Sequence, residues 1–358
     1  MGLRRCRVAW SPALKDLSRY SRQVLFAPLG AEGQERLLAA RAVLIGCGAL
    51  GGALANTLVR AGVGHLRIVD RDVVEMHNLH RQMLFDEDDV RADLPKAEAA
   101  GRKLRRINSE VTVEPIVDDA NHHNIAELTE GAALLLDATD NFETRFLIND
   151  LAVKTGRPWI YGACVGSTGM SMVILPHETP CLRCLFEEAP PPELNPTCDT
   201  VGILGPVVAM VASHQAMEAI KILAGRRDAV DRRLLTFDAW MGRMSHIRVG
   251  KAYAEGECAC CKGGRYEYLE GRFAGRTVTL CGRNAVQVYP GRAMAIDFAV
   301  LADRLRPVAR SEPRYNPLLL KVLIDDYELT VFGDGRALVK GTPKPEEARA
   351  VYARYIGA

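Results

Sequence analysis

No apolar run in this 358-residue chain approaches the roughly 18 residues that a membrane-spanning helix needs. Nor is there an excess of one charge, since 46 Lys and Arg stand against 44 Asp and Glu, a net of +2. That balance gives no broad electropositive field, which argues against nucleic acid as a main partner. The basic start, Arg4, Arg5 and Arg7, is not followed by an apolar segment, so no secretory signal is expected. Histidines such as His77, His80, His122, His123 and His214 lack Cys/His metal spacing and read as surface or helix residues. A cytoplasmic protein with no membrane association is the expectation. What is present is 48% apolar residue in a chain long enough for one large α/β domain plus a smaller one.

The segment RAVLIGCGALG places Gly46, Gly48 and Gly51 as G-x-G-x-x-G between an apolar run, Ala42 to Ile45, and a helical pattern, Ala49 to Arg60. Strand, tight turn and helix start form the context in which backbone N–H groups approach a phosphate. A second apolar run, Leu66 to Val69, ends in Asp70, nineteen residues after Gly51, where an acid can accept from ribose hydroxyls. A Rossmann-like fold follows, with a mostly parallel sheet and helices on both faces. An NAD-dependent oxidoreductase would satisfy this much.

The residues after Asp70 separate a redox cofactor from ATP. Asn78, Arg81 and Gln82 follow the second strand, Lys96 comes fourteen residues later, and the apolar run Ala133 to Leu136 leads into Asp137-Ala-Thr-Asp140-Asn141. Hydride transfer needs a flat nicotinamide pocket. Attack on an α-phosphate needs cations for the triphosphate and an acid for Mg²⁺, which Arg81, Lys96 and Asp140 supply.

Ten cysteines in a chain expected in a reducing compartment are poor disulfide material. Cys181 and Cys184 form one C-x-x-C, and Cys258 and Cys261 form a second after 73 intervening residues. Two pairs allow a closed tetrahedral S₄ site of the type that holds structural Zn²⁺. Cys260 adds a competing thiol. Cys198 lies in NPTCDTVGILGP, after the Pro- and Glu-rich stretch Ala189 to Pro196; beside an acid it has no electrostatic activation and reads as a loop thiol. Cys6, Cys47, Cys164 and Cys281 read as packing or surface thiols, and Trp159 and Trp240 as core. The apolar pattern from Pro206 to Ala224 suits the core or a dimer interface.

The ordered set GCGALG, AGVGHLRIVDRD, NLHRQ, PK and DATDN, from about Tyr20 to Cys261, resembles the ThiF/MoeB/HesA family, relatives of the ubiquitin-activating enzymes. The resemblance implies an adenylyltransferase acting on the C-terminal glycine of a small ubiquitin-like sulfur-carrier protein ending in Gly-Gly. By it, Gly48, Asp70, Asn78, Arg81 and Lys96 bind ATP, Asp140 holds Mg²⁺, and the four paired cysteines hold Zn²⁺. Arg22 in RYSRQVLF would reach across a homodimer to the partner's phosphates. Cys198 corresponds to a cysteine that in some members accepts the activated carrier, with a persulfide as sulfur donor. The second pair lacks the proline usual in the family's C-P-x-C.

Beyond Cys261 the pattern changes. Lys262-Gly-Gly264 reads as a linker between residues 1–264, holding the N-terminal arm, crossover loop and zinc site, and a small α+β domain, 265–358. Strands are expected in TVTLCG, AVQVYP, LLLKVLIDD, YELTVF and RALVKG, with a hairpin turn at Gly333-Asp334-Gly335 and helices over Asp297 to Leu305 and Pro345 to Ile356. This appendage resembles the tail of ThiF-type enzymes, which favours thiamine (thiazole) biosynthesis over molybdopterin synthesis or activation of a ubiquitin-like modifier. A role in seating the carrier is expected of it.

Overall fold

The computed structural model describes residues 16–188, 198–273, 279–280, 284–288 and 295–357. The basic start, Cys6, the stretch from Ala189 to Pro196 and Cys281 lie outside them. Eight strands form the main sheet: β1 (Arg41–Ile45), β2 (His65–Val69), β3 (Thr112–Ile116), β4 (Leu134–Asp137), β5 (Trp159–Val165), β6 (Thr168–Ile174), β7 (Leu234–Asp238) and β8 (Arg243–Ile247). Their order is β3-β2-β1-β4-β5-β6-β7-β8. The pairings from β3 to β5 are parallel and those from β5 to β8 antiparallel. The expected Rossmann-like sheet is therefore present, with an antiparallel extension on one side.

Central strands of a doubly covered sheet have no solvent face, so they read as unbroken apolar runs. β1 and β4 do so, with Val43, Leu44, Leu135 and Leu136 all buried. One core lies under the helices Ala49–Ala61, Lys96–Ile107 and Gly205–Leu223. The other lies under Phe142–Thr155 and includes Trp159, Tyr161 and the cysteine cluster. Trp240, expected in the core, is 78% exposed. It occupies the turn joining β7 to β8, where Asp238 accepts from the Trp240 and Met241 amides and no layer covers the ring. No described helix is long and apolar enough to cross a membrane.

The C-terminal domain is a second sheet of β9 (Thr279–Leu280), β10 (Ala285–Val288), β11 (Arg314–Tyr315), β12 (Leu319–Ile324), β13 (Tyr327–Phe332) and β14 (Ala337–Lys340). Every pairing is antiparallel, in the order β11-β12-β13-β14-β10-β9. The helices Phe298–Leu305 and Pro345–Tyr355 pack on it through Leu301, Leu305, Ala348 and Tyr352. The expected hairpin is that of β13 and β14. Tyr268, just past the Gly263-Gly264 turn, is buried in the core of the larger domain, stacked between Phe146 and Phe273.

Candidate nucleotide and cysteine sites

The glycine turn joins β1 to the helix Ala49–Ala61 at the carboxyl edge of the sheet. Gly46 has φ +92°, and a Cβ there would lie 2.5 Å from Ala138 O. At Gly51 a Cβ would lie 2.1 Å from Gly46 O. Helix, turn and β4 pack so closely that only hydrogen fits at these two positions. Gly48 differs. A Cβ on it would meet nothing nearer than Gln82 Nε2, at 3.6 Å, so the protein's own packing does not demand glycine there. Space in front of a helix N-terminus is what an incoming phosphate needs.

Asp70, at the end of β2, accepts from the Cys47 amide at 2.5 Å and from the Asp72 amide at 2.7 Å. It ties the glycine turn to the second strand. Burial pushes its carboxyl above the ordinary aspartate range, while the Lys96 ammonium pulls the other way. Lys96 opens its helix after Pro95 and is buried; its Nζ donates to Asp72 Oδ2 at 2.9 Å. Its amide donates to Asp72 O at 2.8 Å. No local pattern singles out Asp72, the second residue of the Arg71-Asp72 pair that follows Asp70. Only the folded loop brings it to Lys96.

Asn78 and Gln82 are 1% and 3% exposed. Both polar atoms of the Asn78 side chain and Oε1 of Gln82 have no partner among the described residues. A buried amide left unpaired costs about 1–3 kcal/mol, so such groups mark a place that a polar ligand completes. Gln82 lies directly against Gly48. Arg81, between them in sequence, is half-buried; its guanidinium donates to His77 O at 3.0 Å and lies near Cys164.

Asp140 is exposed at the end of β4, beside β1 in the sheet. Asn141 caps the following helix by accepting from the Thr144 amide at 2.8 Å, which fixes Asp140 at the strand–helix junction. Behind it, Arg145 and Asp137 form a buried ion pair at 3.3 Å. Arg22 is not brought to this group. It is exposed on the short helix Ser21–Val24, whose neighbour Gln23 donates to Ala61 O at the far end of the helix Ala49–Ala61. Those 13 residues put about 20 Å between that anchor and the glycine turn.

Cys198, expected in a loop, begins the short helix Cys198–Val201, and its thiol lies 3.6 Å from Cys164 O at the end of β5. Burial pushes the Cys164 thiol up to about 12.

The Sγ atoms of Cys181, Cys184, Cys258 and Cys261 all lie within 4.8 Å of one another. Three of the separations are 3.6 Å (181–258), 3.9 Å (181–184) and 3.5 Å (184–261). A tetrahedral ion with M–S bonds of about 2.3 Å has sulfur–sulfur edges of about 3.8 Å, so the quartet fits a closed metal site. Hydrogen bonds from Cys184 and Cys258 hold the Cys181 thiol well below its usual range. Cys260 lies beside Cys181 but outside the quartet. It is fully buried, donates to Asp150 Oδ1 at 3.3 Å and accepts from Asn149 Nδ2 at 3.4 Å.

The family model of the ThiF family matches residues 20–260. The chain belongs to the ThiF family. It is 45% identical over 339 residues to the sulfur carrier protein ThiS adenylyltransferase of Bacillus subtilis (strain 168), covering 95% of this chain and 99% of that one. It is 43% identical to the SAMP-activating enzyme E1 of Haloferax volcanii, over 63% of this chain and 82% of that one. The crystal structure of E. coli MccB with ATP shares the fold, with a TM-score of 0.59 and 24% identity over 70% of this chain and 76% of that one. This ThiF-family chain is an adenylyltransferase.

Proposed function

We propose that the enzyme adenylates the C-terminal glycine of a small ubiquitin-like sulfur-carrier protein with ATP, for thiamine (thiazole) biosynthesis. The observation that carries this reading is Gln82, whose amide borders the open space over Gly48 and whose buried Oε1 is unpartnered, together with the buried, unpartnered side-chain amide of Asn78 four residues before it. The match to the B. subtilis ThiS adenylyltransferase runs through the C-terminal domain as well, which favours a carrier of the ThiS type.

In this reading the ATP phosphates rest against Gly46, Gly48 and Gly51, the ribose meets Asp70, and Asn78 gains its missing partners from the nucleotide. Arg81 and Lys96 balance the phosphate charge. An oxygen of the carrier's terminal carboxylate attacks the α-phosphorus. The bond to the bridging α–β oxygen breaks, pyrophosphate leaves, and an acyl-adenylate remains. No general base is required, because a terminal carboxylate is already ionised at neutral pH. Asp140 suits Mg²⁺, which takes one or two carboxylates together with phosphate oxygens and would neutralise the charge on the leaving group. The Cys198 thiol, losing its proton, would then take the carrier's acyl group as a thioester with AMP leaving, or the terminal sulfur of a persulfide donor would attack the acyl-adenylate directly, again expelling AMP.

The four-cysteine site is assigned to zinc on its all-thiolate, closed donor set. A homodimer is assigned to the face carrying β8, every residue of which is exposed. Met210, Met217, Trp240, Met244 and Ile247 give that face exposed apolar surface beside a groove of about 410 Å³. An uncovered apolar edge strand is an aggregation hazard, and a second copy would cover it. The partner's Arg22 would then complete each site.

The test is ATP–pyrophosphate exchange with a panel of carriers, each with and without its terminal Gly-Gly. Exchange that needs an intact ThiS-type tail and vanishes in Asp140→Ala supports the reading. Binding of NADH with no exchange would end it.

A further inference from the structure

The segment leaving Asp70 and the segment entering Lys96 are zipped together. Lys96 N donates to Asp72 O at 2.8 Å, Val74 N donates to Leu94 O at 3.0 Å, and Val73 bridges Pro95. The C-terminal domain grips both arms of this zipper. On the first arm, Glu75 pairs with Lys340 of β14, and Val73 packs against Leu319 and Phe332. On the second, Asp93 accepts from Lys321 of β12 at 2.7 Å and pairs with Arg314 of β11 at 3.2 Å. Asn316 Nδ2 donates to Ala92 O at 3.1 Å and Asp93 O at 3.2 Å. Asn316 is itself locked, its Oδ1 accepting from the amides of Leu318 and Leu319.

Asp93 has φ +48°, in the left-handed region that side chains other than glycine's enter at a cost. Its carboxylate is 13% exposed and spent on two cations of the other domain. The strained residue lies three positions before Lys96. The conformation is set within the larger domain, where Asp93 N donates to Val90 O and Leu94 N to Asp89 O, both at 3.1 Å, closing the C-terminal end of the helix Glu87–Arg91. The C-terminal domain anchors this cap with a lysine, an arginine and an asparagine.

We propose that the C-terminal domain is a clamp on the nucleotide site, anchoring the helix cap at Asp93 on one arm and Val73 and Glu75 on the other so that Lys96 and Asp72 keep the position that receives ATP phosphates. Lys321 is the central positioning residue, with Lys340 acting on the opposite arm. The inference rests on the ATP reading of Lys96 given above. It gives the domain a task at the nucleotide end of the reaction, separate from any contact with the carrier.

The experiment is calorimetric titration of the full chain with ATP and Mg²⁺ in the absence of carrier. Lys321→Met should weaken ATP binding roughly tenfold, the scale of coupling carried by one contact remote from the ligand. Lys321→Arg should retain tight binding. The decisive comparison is with Asp93→Asn, which tolerates the left-handed cap but loses the charge that Lys321 and Arg314 hold; it should weaken ATP binding as much as Lys321→Met does, and the two substitutions together should cost no more than either alone. Amide exchange at Val74 and Lys96 should quicken in Lys321→Met while β1 and β4 stay protected. Should Lys321→Met not fold, Lys340→Met carries the same comparison, with its own loss expected in ATP affinity. Unchanged ATP affinity in these variants, in a parent that binds ATP, overturns the clamp alone. A parent that fails to bind ATP overturns the nucleotide reading and the clamp with it.

Discussion

Lys96 Nζ donates to Asp72 Oδ2 at 2.9 Å with only 3% of the lysine side chain exposed, so a buried cation beside the glycine turn is held by direct contact with one carboxylate. Removing one member of such a pair strands the other without a counter-charge. Asp72→Asn is expected to destabilise the fold by about 3 kcal/mol in urea unfolding, the lower end for a broken buried pair because Asp70 remains nearby. Lys96→Met should cost less stability, because Asp72 keeps some solvent and Arg71 at 4.0 Å. It should lower ATP–pyrophosphate exchange roughly a hundredfold, as expected for loss of a preorganised charge on the reacting phosphates.

The glycines of the turn should behave differently from one another. Gly51→Ala drives a methyl to 2.1 Å from Gly46 O, a backbone atom that cannot swing away. A loss of about 3 kcal/mol is expected, read from the denaturation midpoint. Gly48→Ala meets nothing closer than 3.6 Å and should leave the midpoint nearly unchanged. Its methyl would stand where phosphate approaches, so exchange should fall about tenfold. Equal damage to stability from both substitutions would count against the open space over Gly48.

Much of this arrangement was legible in the sequence, and the reason is periodicity. β1, β2 and β4 are short apolar runs, each ending in a turn or an acid, and the β13–β14 hairpin follows from alternation around Asp334-Gly335. Cys181, Cys184, Cys258 and Cys261 were legible as a quartet because metal ligands pair at fixed spacing. What no local pattern carries is pairing across distance. Asp72 with Lys96, Asp150 with Cys260 and Glu75 with Lys340 join residues 24, 110 and 265 positions apart. Trp240 shows the converse. Its apolar character suggested burial, but a turn beyond the sheet edge has nothing to bury it against.

The cysteine quartet and Cys260 make separable predictions. The purified enzyme should carry one metal ion per chain by elemental mass spectrometry, and Cys184→Ser should lose it. Cys260→Ser should keep the metal, because that thiol is engaged with Asp150 and Asn149. Stripping the ion with a strong chelator should lower the melting temperature by about 5–10 °C, equivalent to roughly 2–3 kcal/mol in a domain of this size. Loss of metal from Cys260→Ser would reassign the ligand set.

Glu143, in the first turn of the helix that follows Asp140, is pushed up to about 7 by burial and by the Asp119 charge, against the pull of Arg71. Its folded value lies above its unfolded value of 4.5, so its contribution to stability is fully present below about pH 4.5 and is lost as pH rises through 7. Glu143→Gln removes the ionisable proton. It should match the parent at pH 4.5 and exceed it at pH 8 by on the order of 1–2 kcal/mol, a figure reduced for partial exposure. Chemical denaturation without Mg²⁺ at the two pH values measures this. A variant no more stable than the parent at pH 8 would show that Glu143 ionises freely in the fold.

Arg22 and Asp140 give a test of whether two chains build each site. Within one chain, the helix Ser21–Val24 is anchored near Ala61, about 20 Å from the glycine turn, so Arg22 cannot serve its own Asp140 without large movement. Arg22→Ala and Asp140→Ala homodimers should each be inactive in ATP–pyrophosphate exchange. Mixed and allowed to exchange subunits, they form hybrids in which one site has both substitutions and the other has neither. Activity should therefore return on mixing, in proportion to the hybrid fraction seen by native mass spectrometry. Trp240→Ala combined with Met244→Asp should prevent both dimerisation and this recovery, because it places a charge on the exposed face beside β8. Recovery that proceeds while the proteins remain monomeric, or full activity in Arg22→Ala alone, would remove Arg22 from the site.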